Sequence, residues 1–157
     1  MAAVRIDDFP GVLRDTARSL RLAGDVDLSR QLRKGIGDAT RPALDDIREG
    51  LRQYMPNRYA DVLAVDLRLT TSKQIAGKGG ARVILRGTSR GPKRRRIVRL
   101  NEGVLWHMLF GDRKRWFIQG VRPGFFTKPI VARAPEIRRD IVRALDVVAE
   151  EATRRHL

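Results

Sequence analysis

One stretch decides how this chain folds: LWHMLFGDRKRWFIQGVRPGFFTKP, residues 105–129. It holds both tryptophans and most of the phenylalanines of a 157-residue chain. Large aromatic side chains supply much of the apolar area that a small protein can bury. We therefore expect this stretch to form the core or a contact between subunits through six residues: Leu105, Trp106, Phe110, Trp116, Phe125 and Phe126.

The length of the chain predicts a single domain over residues 1–157, with an N-terminal helical arm over 1–24 and an α+β core over 25–157. The sequence has no cysteine, which excludes disulfide and thiolate chemistry. The opening residues MAAVRIDDFP lack the apolar core of a signal peptide, and no apolar run approaches the roughly 18 residues of a membrane helix. We expect a soluble chain that is not secreted.

The formal net charge of +15 is concentrated in the middle of the chain. Residues 67–135 contain 17 Lys and Arg but only two acids, Glu102 and Asp112, whereas the rest of the chain holds 16 residues of each sign. Such asymmetry indicates a polyanionic partner, either nucleic acid or an acidic protein surface. Solvated arginine-rich faces that reflect codon usage are the alternative that stays open.

Helical periodicity marks the N-terminal third. It predicts a first helix that Asp7 or Asp8 caps and Gly24 ends, and a second helical stretch in which Thr40 and Pro42 mark a kink or restart. Apolar residues at helical spacing indicate the buried face of the second stretch: Leu28, Leu32, Ile36, Leu44, Ile47, Leu51 and Tyr54. Met55, Pro56 and Asn57 should end it.

The pattern then changes to alternation. Residues 65–70, 81–87, 97–101 and 116–118 are each expected to form a strand, whereas 105–110 fits either a strand or a helical turn. Thr127 is a plausible cap for a long last helix, which Pro135 should kink. The predicted fold class is α+β: N-terminal helices, a small antiparallel β-sheet with long basic loops, and a long C-terminal helix packed on the sheet.

Residues suited to catalysis are sparse. His107 lies within an apolar run, where a core or interface histidine is the simpler interpretation, and adjacent helical acids such as Asp45 and Asp46 do not converge on a substrate. The glycine-rich segment GKGGA lacks the spacing of a phosphate-binding loop, and no metal-ligand cluster is present. We expect a protein that is not an enzyme and has no cofactor or metal.

The strongest chemical signal is the segment RGPKRRRIVR, residues 90–99, in which six of ten residues are basic. A basic loop that starts in a Gly-Pro turn suits contact with phosphates, although a solvated loop is an open alternative. The sequence shows no helix-turn-helix, zinc finger or ribonucleoprotein motif, so sequence-specific readout is not expected. The predicted contacts with DNA or an acidic partner are Lys78, Arg90, Lys93, Arg94, Arg95, Arg96 and Arg99.

A resemblance to a known family rests on the order of these segments. A helical N-terminal third and basic strands are followed by L-x-H-x-x-F-G (105–111), an aromatic residue at Trp116 and R-P-G-F-F-T-K-P-I (122–130) before the last helix. Over residues 28–151 the chain resembles the gene-product-ten-like tail-component family of long-tailed phages, particularly versions from phages of actinobacteria. One departure is that the segment 56–63 lacks the Thr-Gly that the family often has there, which affects the local turn.

The resemblance implies a structural virion protein at the phage neck, assembled in the host cytoplasm. Members are tail-completion or head-to-tail joining components expected to form homo-oligomeric rings, commonly hexamers, in contact with neighbouring connector, tail-terminator or tail-tube proteins and, without sequence specificity, with genomic DNA. No membrane is implied. The alternative that the charge supports by itself is a small basic protein that binds DNA without sequence specificity.

Overall fold

The computed structural model describes residues 2–6, 15–16, 18–19, 26–74, 82–90, 97–108 and 114–155. Within these residues the elements are β1 (Ala2–Ile6), α1 (Val26–Tyr54), α2 (Asn57–Asp66), β2 (Leu67–Gln74), β3 (Arg82–Ser89), α3 (Ile97–Asn101), β4 (Val104–Met108), β5 (Trp116–Gly120) and α4 (Thr127–Arg155). Three strands form one sheet in the order β1-β3-β2, and β4 and β5 form a second, two-stranded sheet. The predicted α+β class is confirmed.

The N-terminal strand corrects one prediction. Residues 1–24 were expected to be a helical arm, but Ala2–Ile6 form β1. Ala2 and Ile6 are buried while Ala3 and Arg5 are exposed, which is the period of two that suits a strand and not a helix. Most of the predicted first helix lies outside the described residues. The four of its residues that the structure describes are helical: Asp15, Thr16, Arg18 and Ser19.

A kink or a restart was predicted at Thr40 and Pro42; helix α1 is continuous from Val26 to Tyr54, so there is no restart, and the kink stays a prediction. Instead of capping a new helix, the buried Thr40 hydroxyl lies 3.1 Å from the Ile36 carbonyl oxygen of the preceding turn and 3.0 Å from the Thr71 hydroxyl. Pro42 lies inside the helix and is exposed. Burial of the apolar face sustains the helix through a residue that cannot donate a backbone hydrogen bond.

The apolar stripe of α1 was correctly predicted, and α4 has a second stripe of the same helical period. Both stripes lie in the core, through Leu28, Leu32, Ile36, Ile47 and Leu51 of α1 and Ile130, Ile137, Ile141, Leu145 and Val148 of α4. Helix α4 runs unbroken through Pro135. The end of α1 at Tyr54, before Met55 and Pro56, also follows the prediction.

Two strand predictions need correction. Val65 belongs to α2 and is 83% exposed, and β2 begins at Leu67, which is buried. Residues 97–101 form α3 and not a third strand, because the buried residues Ile97 and Leu100 are three apart and so share one side of a helical turn. The short run from Leu105, which the sequence left open, belongs to strand β4.

The described contacts group into two compact units, each made of three segments. The first comprises residues 1–3, 43–70 and 86–131, and the second comprises 4–42, 71–85 and 132–157. The boundaries fall within β1, α1, β2, β3 and α4, so both units draw on the same helices and strands. The expectation of a single domain over 1–157 stays a prediction.

Candidate functional site

The clearest candidate surface is the hairpin of β4 and β5, which we call the aromatic ribbon (residues 104–108 and 116–120). Its strands are antiparallel, with Trp106 opposite Ile118 and Leu105 opposite Gln119. Because opposite residues in a sheet share a face and neighbours in a strand alternate, Trp106, Trp116 and Ile118 lie on one face. Leu105 and Phe117 lie on the other face.

The aromatic ribbon is buried at Leu105 on one face, whereas β5 is exposed on both faces: Phe117, which shares the face of Leu105, is 53% exposed. Leu105 is only 3% exposed, so one face packs on the protein at this point. On the other face Trp106 is 50% exposed, Trp116 49% and Ile118 55%. These three side chains leave roughly 300 Å² of mostly apolar surface in solvent, the size of a patch that is often functional in a monomeric protein.

This burial divides the six residues predicted as core or subunit contact. Leu105, Phe125 and Phe126 are core residues. Trp106 and Trp116 are not core residues, because their ribbon face is open, and their role in a subunit contact stays a prediction. Phe110 lies outside the described residues.

Backbone geometry at Gly103 fixes the base of the ribbon. Gly103 has a φ of 90°, and a Cβ atom there would lie 2.8 Å from the carbonyl oxygen of Val121. The Val121 N–H donates to the Gly103 carbonyl at 2.9 Å, one residue beyond the Val104 and Gly120 pair. Only glycine fits this close approach of the two chains.

Asn101 connects the base of the ribbon to the start of α4. Its side-chain Oδ1 accepts hydrogen bonds from the backbone N–H groups of Phe126 at 3.0 Å and Thr127 at 3.1 Å. Its backbone carbonyl accepts from the Gly124 N–H at 2.7 Å. Thr127 was predicted as the cap of the last helix, but the capping oxygen belongs to Asn101, 26 residues earlier in the chain.

The two phenylalanines before α4 anchor this region in the core. The rings of Phe125 and Phe126 are 6.4 Å apart and inclined at 60°. Phe126 lies against β3 at Gly87, where a Cβ atom would come within 2.9 Å of the phenyl ring. The segment 123–126, which we call the PGFF element, therefore places its two phenylalanines in the core, and Asn101 joins the segment to the base of the ribbon.

The predicted basic contacts are only partly visible. Arg90 and Arg99 are exposed, and Arg99 lies 3.8 Å from the Glu102 carboxylate. Lys78 and the cluster 93–96 lie outside the described residues.

Sequence reasoning missed three features of this surface. Phe117 and Ile118 are both exposed although they point to opposite faces of β5, so strand alternation could not have indicated it, and Phe117 makes an edge contact with the ring of His107 at 5.8 Å. The Arg122 guanidinium lies 5.1 Å from the centre of the Tyr54 ring. No sequence pattern pairs these last two residues, which are far apart in the chain.

A separate polar cluster joins β2 to α1 around Lys73. The Lys73 ammonium donates to the backbone carbonyl of Arg33, and the missing side chain of Gly37 leaves it room. Desolvation lowers the pKa of Lys73, an effect that nearby Asp38 partly offsets and Arg33 reinforces. Because its ammonium group donates a hydrogen bond to the main chain of α1, Lys73 has a structural role and connects β2 to this helix.

No group of three or more His, Asp or Glu side chains suited to a metal ion occurs among the described residues. The helices in that part of the chain include none that is long and apolar enough to cross a membrane. No family model, curated protein or solved structure matches the chain.

Proposed function

We propose that this chain is a structural virion protein of the phage neck, a tail-completion or head-to-tail joining component that assembles as a homo-oligomeric ring around the DNA passage. The observation that carries the proposal is the open face of the aromatic ribbon. Trp106, Trp116 and Ile118 project from a two-stranded sheet, and such a sheet is marginally stable in water unless something packs on it. In a ring, the neighbouring subunit would pack on the open face and so stabilise the two-stranded sheet.

The size of the open face suits one contact of a repeated assembly. Roughly 300 Å² of apolar surface is worth about 7 kcal/mol before the cost of association. Association itself costs a similar amount, so a single ribbon contact is weak. Closure into a ring makes every subunit bind two neighbours, and neighbouring phage proteins supply further contacts.

The segment order described above supplies the viral part of the proposal. The resemblance to tail components extends over the ribbon and the PGFF element, which are the parts of the chain that form the open face and its anchor. The excess of 15 positive charges in the middle of the chain suits a rim past which DNA travels. Virion assembly, and not turnover, is the proposed activity.

The first test is genetic. The gene is expected between portal or capsid genes and the tail-tube gene, and its deletion should leave DNA-filled heads and separate tails in electron micrographs. Complementation should succeed with the wild-type gene and with Phe117→Ser, which alters the other ribbon face. It should fail with the double variant Trp106→Ser/Trp116→Ser. Intact virions after deletion would contradict the proposal.

The positive charge favours a second candidate, a small basic protein that binds DNA without sequence specificity. Charge reversal of Lys93, Arg94, Arg95 and Arg96 should then leave the fold intact, weaken DNA binding and flatten its salt dependence, because each neutralised phosphate contact contributes to the salt slope. Binding is measured by fluorescence anisotropy on duplex DNA at several salt concentrations. Unchanged binding would exclude DNA contact through this cluster.

A further inference from the structure

Strand β5 (Trp116–Gly120) forms an edge of the aromatic ribbon that no other described strand covers. All five of its residues are exposed, whereas Leu105 of the neighbouring strand β4 is buried. Gly120 has no side chain, so its exposure is exposure of the backbone itself. The outer edge of β5 is therefore accessible to a further strand.

The register of the ribbon shows which backbone groups of β5 point away from β4. The Val121 N–H donates to the Gly103 carbonyl at 2.9 Å, one position beyond the pair of Val104 with Gly120. In an antiparallel ladder, residues that bond to the partner strand alternate with residues whose N–H and C=O groups point outward. Ile118 and Gly120 therefore direct these groups to the outer edge of β5.

Strand β5 lacks the features that commonly protect an edge strand from pairing. Its sequence, WFIQG, contains no charged residue and no proline. Its pairing with β4 runs without a break from Gly120 to Trp116, so no bulge turns the edge away. An exposed apolar edge of this kind is a template for pairing with another chain.

Gly120 leaves a gap on the open face of the ribbon, beside Ile118. A Cβ atom built at Gly120 would meet no described atom within 4 Å. Its φ is not positive, unlike those of Gly103 and Gly124, so the backbone does not require glycine there. Glycine inside a strand often marks a place where another backbone approaches closely.

We propose that β5 pairs with β5 of a second copy, antiparallel and about a two-fold axis, with Ile118 opposite its own counterpart. This register places outward-pointing residues opposite each other, as backbone hydrogen bonding requires. It pairs all five residues of both strands and sets Trp116 of each copy opposite Gly120 of the other. Contact of an aromatic ring with an edge glycine across two strands helps to fix their register.

The second copy is favoured over an unrelated strand because β5 is complementary to itself. A shift of two residues in either direction would leave one end of each strand unpaired and remove the contact of Trp116 with Gly120. The proposed pair forms a four-stranded sheet in the order β4-β5-β5-β4. Three or more strands with an apolar face are more stable than a hairpin alone.

The contact is isologous, so it closes at two copies. It uses the edge of β5 and leaves the open face of the ribbon accessible, so this inference does not depend on the proposed function. Two strands of five residues bury less than the roughly 1,000 Å² of a stable interface, so the pair is weak. It should strengthen when salt screens the net charge of +15 on each copy, whereas salt weakens binding to nucleic acid.

The absence of cysteine in the sequence allows a disulfide test of the register. Trp116→Cys and Gly120→Cys are mixed at high protein concentration in a glutathione redox buffer. The mixed dimer should exceed the dimer of either variant alone by about tenfold or more, because positions 116 and 120 lie opposite each other within reach of a disulfide. In a dimer of one variant the two cysteines are about 13 Å apart along the strands, which is beyond that reach.

A charge exchange at Ile118 tests the two-fold axis. Ile118→Lys and Ile118→Glu should each stay monomeric, since each places like charges opposite each other. Their equimolar mixture should associate, because the mixed pair has opposite charges at that point. Sedimentation equilibrium at about 1 mM protein measures the association of a weak pair.

Val65 provides the matched control, because it is an exposed valine of α2. Val65→Lys and Val65→Glu should associate to the same extent when mixed as when separate. Circular dichroism verifies that every variant is folded.

Three results would overturn this inference. They are a wild type that remains monomeric at this concentration, a mixed disulfide no more abundant than the dimers of single variants, and an Ile118 mixture that associates no more than its two components. The neck function has its own test in the deletion phenotype. Separate tails after deletion, together with a failed disulfide test, would keep that function and reject the pairing of β5.

Discussion

Asn101 is the residue that links three pieces of the protein at one point. Its side-chain oxygen accepts hydrogen bonds from two backbone N–H groups at the start of α4, and its backbone carbonyl accepts one from the N–H of Gly124. Helix starts have N–H groups without partners inside the helix, so an external acceptor is needed when they are partly buried. Asn101 provides this acceptor at the base of the ribbon.

Replacement of Asn101 by leucine should therefore lower the free energy of unfolding by about 1–3 kcal/mol, because two partly buried N–H groups lose their acceptor. Urea unfolding followed by circular dichroism measures this change. Asn101→Asp is the matched control, since it retains the acceptor and places a negative charge near a helix start. Equal stability of Asn101→Leu and the wild type would show that water replaces the side chain.

Lys73 gives a residue-scale prediction about pH. Its pKa is lowered in the folded protein by desolvation, so the unfolded chain binds the proton more tightly. The free energy of unfolding should then rise with pH between the lowered pKa and the ordinary value of 10.5, where the unfolded state loses its proton too. At lower pH, Lys73 is charged in both the folded and the unfolded protein, so desolvation of its ammonium group lowers the free energy of unfolding by its full amount.

The measurement compares the wild type with Lys73→Met by urea unfolding across this alkaline range. Every group other than Lys73 is common to both proteins, so the difference between the two isolates Lys73. We expect the wild type to gain stability relative to Lys73→Met as pH rises. A difference that is constant with pH would contradict the assigned desolvation.

At the scale of elements, the approach of the two long helices depends on a glycine. A Cβ atom at Gly35 of α1 would lie 2.6 Å from the Ala144 Cβ of α4. Alanine is the better helix former by about 1 kcal/mol, but an overlap of this kind in a packed contact costs typically 1–3 kcal/mol. Packing should prevail over helix propensity here.

Gly35→Ala should accordingly lower the free energy of unfolding, and the second change Ala144→Gly should recover part of the loss. Gly50→Ala in the same helix is the matched control, since its nearest neighbour is the Tyr54 ring at 3.9 Å. That control should gain up to about 1 kcal/mol from helix propensity. Independent effects at positions 35 and 144 in a double-mutant cycle would contradict the close approach.

The elements also show how far sequence reasoning reaches. The stripes of α1 and α4 were predictable because residues such as Leu32 and Ile141 repeat with the helical period over many turns. Helix α3 was not predictable, because the five residues 97–101 are too few for a period to be read. Continuity through Pro42 depends on tertiary burial, which outweighs the local preference to end a helix.

The open face of the ribbon was the harder part to predict. Hydrophobicity assigned Trp106 and Phe126 to the same class of site, yet one is half exposed and the other fully buried. The difference arises from the strand pairing of β4 with β5 and from the Asn101 contacts, neither of which is visible in composition. Exposure of large aromatics is informative because it costs stability unless a partner uses them.

At the scale of the whole molecule, the fold rests on the core and not on its many ion pairs. The described pairs, such as Arg30 with Asp27 and Arg155 with Glu151, lie at the surface, where each contributes about 0–1 kcal/mol or less. Raising the salt concentration should therefore affect binding far more than folding. The excess positive charge of the middle third is available for partners.

The measurement that tests assembly most directly is the mass of the 17.8 kDa chain in solution by light scattering, at two salt concentrations, with and without duplex DNA. We expect the wild type to form a discrete multiple of the chain mass that DNA does not change, and Trp106→Ser/Trp116→Ser to remain a folded monomer. A wild-type monomer that moves completely onto DNA at physiological salt, with the double variant behaving identically, would contradict the account.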